Sequence, residues 1–150
     1  MEKLNFSTNI NAPREKVWEV LWNDDSYRKW TSAFMEGSYA ETDNWKEGTK
    51  VLFLGPGRSG MVSTVARNKK NEFMSFKHLG EVKDGVEDTE SEKIKQWAGA
   101  MENYRLTDEN GKTKLDVDLD VDNTNNDFKD YFIKTFPIAL EKVKELAEKN

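Results

Sequence analysis

Residues 126–150 read NDFKDYFIKTFPIALEKVKELAEKN. Phe128, Phe132, Phe136, Leu140, Val143 and Ala147 recur at intervals of three and four, and Tyr131, Ala139 and Leu146 widen the stripe. That spacing predicts one apolar face of an α-helix. Lys129, Lys134, Glu141, Lys142, Lys144, Glu145, Glu148 and Lys149 fall mostly on the other side, with Glu145 and Lys149 spaced as an i,i+4 pair. Asn125 or Asn126 suits the cap, and Asp127 and Asp130 suit the positive end of the dipole. At ~1.5 Å per residue the helix is roughly 36 Å long, enough to cross a domain, and it cannot bury its apolar face alone. Pro137 has no N–H to offer the Ile133 carbonyl, so a kink or break is expected between them. Such a bend would follow the curvature of a sheet or open a mouth into the interior.

The partner has to come from the preceding residues. Leu4, Phe6, Thr8 and Ile10 alternate with polar neighbours, which reads as a half-buried strand. Asn11-Ala12-Pro13 ends it, and Pro13 fits the first turn of a short helix through about Trp22. A second short helix carries Tyr27, Trp30, Thr31 and Phe34. Strands are then expected over 37–42, 49–54, 59–66, 72–82, 94–106 and 112–121. Gly55-Pro56-Gly57 and 68–71 read as turns and 84–92 as a loop. Asn110-Gly111, between two alternating runs, is the strongest hairpin signal in the chain. In the last strand Leu115, Val117, Leu119 and Val121 face one way and Asp116, Asp118, Asp120 and Asp122 the other. Aspartates two apart project in parallel, roughly 6.5–7 Å from one another, which suits a solvated face better than a calcium site. The order of elements gives an α+β domain: an antiparallel sheet of about seven strands whose one face needs a cover, which the apolar stripe of the final helix can supply if the sheet curls around it.

Composition narrows the chemistry. The 150 residues fit one domain, 1–150. With no Cys there is no disulfide, thiolate metal site or cysteine nucleophile, and one His excludes multi-His metal sites. The net charge of -5 is dispersed, and no basic stripe points to nucleic acid or an anionic membrane. No signal peptide and no apolar run of ~18 residues is seen, so a cytoplasmic setting without membrane insertion is expected. Gly55-Pro56-Gly57 lacks the Lys and the following helix of a phosphate loop, and no cofactor is expected.

The order and local motifs resemble the START-like (SRPBCC) superfamily of helix-grip proteins. The nearest subgroup is the bacterial proteins similar to the co-chaperone that activates the heat-shock-protein-90 ATPase. The matching residues are Ile10-Asn11-Ala12-Pro13-Arg14-Glu15-Lys16-Val17-Trp18, Trp30, Gly60-Met61-Val62 and Phe76-Lys77-His78. Asn103-Tyr104-Arg105-Leu106 through Gly111-Lys112-Thr113-Lys114-Leu115 and Phe136-Pro137-Ile138-Ala139-Leu140-Glu141-Lys142-Val143-Lys144 complete the set. The resemblance implies a helix-grip fold with a cavity between the sheet and the last helix. It also carries the chaperone interaction as one possible role, and a monomer or weak dimer is expected.

Candidate site residues follow. Trp30, Phe34, Phe53, Phe76, Trp97, Tyr104, Phe132 and Phe136 are many large rings for a small domain. Set on the grip face, they would line an apolar pocket with His78, Tyr104 and Glu102 as its polar groups. Trp45 is expected on a loop closing the entrance, while Trp18 and Trp22 are assigned to helix packing. His78 is the one side chain titrating near neutrality, placed inward beside Met74 and Phe76, with Glu102 as its nearest plausible acid. No nucleophile–base–orienter series can be assembled, and Ser59 and Ser63 lack the turn of a nucleophile elbow. Three functions are expected in order: binding of a small hydrophobic or amphipathic ligand; a polyketide cyclase or hydratase using His78 with Glu102 or Tyr104; and a chaperone-associated interaction protein.

Overall fold

The computed structural model describes residues 1–122 and 126–149. The elements run β1 (Glu2–Ile10), α1 (Arg14–Trp22), α2 (Asp24–Thr31), β2 (Tyr39–Thr42), β3 (Lys50–Gly55), β4 (Ser59–Lys69) and β5 (Phe73–Lys83). They continue with β6 (Val86–Asp88), α3 (Glu92–Lys95), β7 (Met101–Glu109), β8 (Lys112–Val121) and α4 (Asn126–Glu148). The strands form one curved antiparallel sheet in the order β1-β8-β7-β5-β4-β3-β2, with β6 on the free part of β5. The class is α+β, with α4, α1 and α2 packed together and α4 laid along β1.

Alternation builds the frame. Leu115, Val117, Leu119 and Val121 are all buried, and β8 pairs with β1 without a break from Glu2↔Val121 to Ile10↔Thr113. Asn110 and Gly111 both take positive φ, 59° and 85°, as the two-residue turn between β7 and β8 requires. On the outer face Asp118 and Asp120 are engaged. Asp118 accepts from Lys3 Nζ at 3.2 Å and Asn103 Nδ2 at 2.9 Å, and Asp120 accepts the Met101 N–H at 2.9 Å.

The two short helices hold each other. Asn23 ends α1 and caps α2, its Oδ1 accepting from the Asp25 N–H at 3.1 Å. The Trp30 indole N–H donates back to the Leu21 carbonyl at 3.1 Å, so a ring buried in the core also fastens α2 to α1.

The middle of α4 follows the expected stripe: Phe136, Ala139, Leu140, Val143 and Ala147 are buried. Phe128 and Tyr131 do not, being 57% and 40% exposed. Of the kink or break expected between Ile133 and Pro137, the break is absent, since α4 is one helix across Pro137. Ile133 and Pro137 lie on its exposed side, so the carbonyl that proline leaves without an N–H partner is not buried in the core. The ion pair of the last turns is Lys144–Glu148 at 2.6 Å, one register before the expected Glu145–Lys149 pair. Lys144 also donates to the Asn9 carbonyl, and Glu148 accepts the Asn11 N–H, which straps α4 to the end of β1. A cap from Asn125 falls outside the described residues.

Two expectations are corrected. Residues 84–92 are not a plain loop, since Asp84 and Gly85 (φ 50° and 81°) turn the chain into β6, which pairs with β5. Residues 94–106 are not one strand. The Asp88 carboxylate accepts the N–H groups of Glu90 and Ser91, the chain coils into α3 with Ile94 fully buried, and β7 begins only at Met101. Gly80 permits this, because a Cβ there would lie 2.1 Å from the Asp88 carbonyl oxygen.

Candidate functional site: an aromatic cleft with a polar floor

One edge of β5 is shared by two partners. β7 pairs with Phe73 to Lys77, and β6 pairs with Glu81 to Lys83. His78 lies at the junction, its backbone bonded to the Ala100 carbonyl and the Gly99 N–H, each at 2.8 Å. Its side chain points to the same face as Met74 and Phe76, as alternation requires. Across from it, Glu102 is opposite Phe76 and Tyr104 opposite Met74, so their side chains share that face.

On the other flank the register of β4 slips between Val62, opposite Gly80, and Ser63, opposite His78. The unpaired residue is Leu79 of β5, so His78 and Gly80 come to face opposite sides, and the successive residues Val62 and Ser63 each meet one of them. Val62 packs with Leu54 and Val82, while Ser63 turns to the histidine.

These placements make a chain of hydrogen bonds. Ser63 Oγ is 2.6 Å from His78 Nδ1, and His78 Nε2 is 3.0 Å from Glu102 Oε1. The Tyr104 hydroxyl donates to the other carboxylate oxygen, Oε2. Ser63 and Tyr104 are buried, and the Glu102 side chain keeps 20% of its surface open. Burial first, then the charge of Glu102, pushes the Tyr104 phenol well above its ordinary range. The same two causes, in the same order, raise Tyr27. Both phenols therefore stay protonated at neutral pH, and Tyr104 stays a donor.

Above this floor is a cleft of about 320 Å³ between the sheet, α2 and the first half of α4. Trp30, Phe34, Phe53, Phe76, His78, Glu102, Tyr104, Phe132 and Phe136 all line it. The rings meet mostly edge to face: Phe53 and Phe76 at 5.0 Å and 81°, Phe34 and Phe136 at 4.8 Å and 70°. Phe6 stacks on Phe136 at 4.9 Å and holds α4 against β1. At the rim, the hydroxyl of Tyr131 donates to the Phe34 carbonyl.

Three tryptophans depart from expectation. Trp97 follows α3, half-buried, and does not line the cleft, because 94–100 is coiled rather than extended. Trp45 does not close the entrance; it backs the wall, with its ring 5.0 Å from Trp22 and its indole N–H donating to the Trp22 carbonyl at 2.8 Å. Trp22, assigned to helix packing, lines the cleft and meets Tyr104 edge to face at 5.0 Å and 84°. Ser63 also went unassigned, since nothing in a strand sequence marks a register slip. Among the described residues no group of three or more His, Cys, Asp or Glu could hold a metal ion. No helix among them is long and apolar enough to cross a membrane.

This is the helix-grip fold of START-like proteins, and solved structures of Aha1-type proteins share it. No protein-family model matches the chain, and no curated protein matches it. The Aha1 dimer from Colwellia psychrerythraea, solved in solution, superposes with a TM-score of 0.73 at 19% identity, covering 99% of this chain and 97% of that one. The AHSA1-like protein from Aeromonas hydrophila gives 0.66 at 16% identity, covering 98% and 92%. DynU16, described as a putative protein in the dynemicin biosynthetic locus, gives 0.71 at 11% identity, covering 99% of this chain and 48% of that longer one. At these identities the likeness is one of fold.

Proposed function

We propose that this domain binds a small, largely apolar ligand in the cleft between the sheet and α4. The observation that carries the reading is the cleft itself: aromatic walls converging on one cluster of polar groups, His78, Glu102 and Tyr104. Its volume of about 320 Å³ stands at the lower end of the ~300–1,000 Å³ typical of ligand sites, which favours a one- or two-ring molecule over a sterol. Trp22 and Trp30 line the cleft, so bound ligand should change the intrinsic fluorescence. A thermal-shift and fluorescence screen with compact aromatic molecules tests this. Saturable binding that is weakened by Phe53→Ala supports it, and a flat response to all of them retires it.

A second reading is favoured by the Ser63–His78–Glu102–Tyr104 chain. Glu102 is the member with an open face toward the cleft, so it would exchange a proton with a bound substrate, with His78 positioning it. This is the cyclase or hydratase alternative. Turnover of a substrate that survives Glu102→Gln unchanged would exclude it. A chaperone-partner role is supported by the Aha1-type neighbours alone. Retention on the heat-shock ATPase in a pull-down tests that role, and the Colwellia dimer makes sedimentation the matching test for self-association.

A further inference from the structure

We infer that the cleft selects by charge, accepting a compact aromatic amine in its cationic form and refusing the carboxylate of the same shape. The inference rests on the ligand-binding reading above and adds the class of ligand. Among the described residues that line the cleft, Glu102 is the one acid and there is no Lys or Arg. The arginines near the rim are already paired. Arg28, stacked on Tyr39 at 5.1 Å, has its Nε 3.1 Å from Asp24, and Arg58 is 2.6 Å from Glu41.

One arrangement of protons satisfies every contact of the floor: Ser63 donates to Nδ1 of His78, the Nε2–H of the same ring donates to Oε1 of Glu102, and Tyr104 donates to Oε2. In that arrangement every hydrogen in the chain has an acceptor and the cluster carries one negative charge. A protonated imidazole would turn Nδ1–H toward Ser63 and leave the serine hydrogen to find another acceptor. Each carboxylate oxygen of Glu102 takes one of these donors and keeps a lone pair for a ligand N–H. The rings of Trp22, Trp30, Phe53 and Phe76 surround this point, and aromatic faces attract a desolvated cation as well as an apolar body. A carboxylate in the same place would be desolvated beside Glu102 with no cation to offset it.

The test is a matched set on the full chain at pH 7: 2-naphthylmethylamine, 2-naphthylmethanol and 2-naphthoate, titrated by calorimetry. The expected result is that the amine binds at least tenfold tighter than the acid. Glu102→Gln should remove that preference while the alcohol still binds. If the acid binds as tightly as the amine, or if the preference survives in Glu102→Gln, the charge inference is overturned and the ligand-binding reading stands. If none of the three binds, the ligand-binding reading falls and takes the inference with it. Should Glu102→Gln not fold, the wild-type ratio of amine to acid decides alone.

Discussion

His78 and Glu102 meet across β5 and β7, imidazole Nε2 3.0 Å from carboxylate Oε1, while the other nitrogen of the same ring is held by Ser63 at 2.6 Å. The histidine is thus fixed at both ends, 5% exposed, and has no freedom to rotate without stranding a buried polar atom.

Ser63→Ala tests that restraint. It removes the partner of Nδ1 on the fully buried side of the ring. A loss of about 1–3 kcal/mol is expected, the cost of one unsatisfied buried group. Urea denaturation measures it. A change below a few tenths would mean that the ring turns to another partner.

Phe136→Ala should cost more, about 3–5 kcal/mol, since the ring is 2% exposed and joins Phe6, Phe34 and Phe132. It also enlarges the cleft that Phe136 lines. Thermal denaturation should therefore show a destabilised protein, and a bulkier ligand should bind the variant better than it binds the wild type.

Gly80→Ala should detach β6. The added Cβ falls 2.1 Å from the Asp88 carbonyl oxygen, a backbone atom that can move only if the hairpin does. Overpacking of this kind costs about 1–3 kcal/mol or more. Amide exchange should quicken at Val86–Asp88 first, and protection there at wild-type levels would contradict the packing described.

Alkaline pH should destabilise the fold through its tyrosines. Tyr27 and Tyr104 hold their protons more tightly when folded than when unfolded, through burial and the nearby Glu102 charge. The unfolded chain releases those protons from about pH 10, so above that point it binds fewer protons than the folded chain. Stability is then fully present below pH ~10 and declines as pH rises. Equilibrium denaturation between pH 8 and 11 checks the sign, and Tyr104→Phe should flatten the slope.

The frame was legible because it is periodic. The alternation in β1 and β8 and the stripe from Phe136 to Ala147 each repeat a signal several times over, and Asn110-Gly111 marks the turn between β7 and β8. What escaped was set by single contacts. β6 and α3 depend on Asp84-Gly85, on the bare backbone of Gly80 and on one carboxylate, Asp88. Trp22 ends a nine-residue helix, too short for its period to say that the ring faces the cleft. Ser63 reaches His78 through a register slip that only the pairing of β4 with β5 reveals. Trp97 misled for the converse reason, because a run that alternated on paper is coiled in space.

The pairing of β1 with β8 has a bearing on how the chain comes to be folded. Within this sheet the first strand in the chain has its partner in the last, Glu2 opposite Val121. Until the ribosome has released nearly all of the sheet, β1 is an open edge with no neighbour. Closure over so long a loop is slow, and an unpaired edge invites strands from other chains. The interval between the birth of β1 and the arrival of β8 is therefore when this protein is most exposed to aggregation.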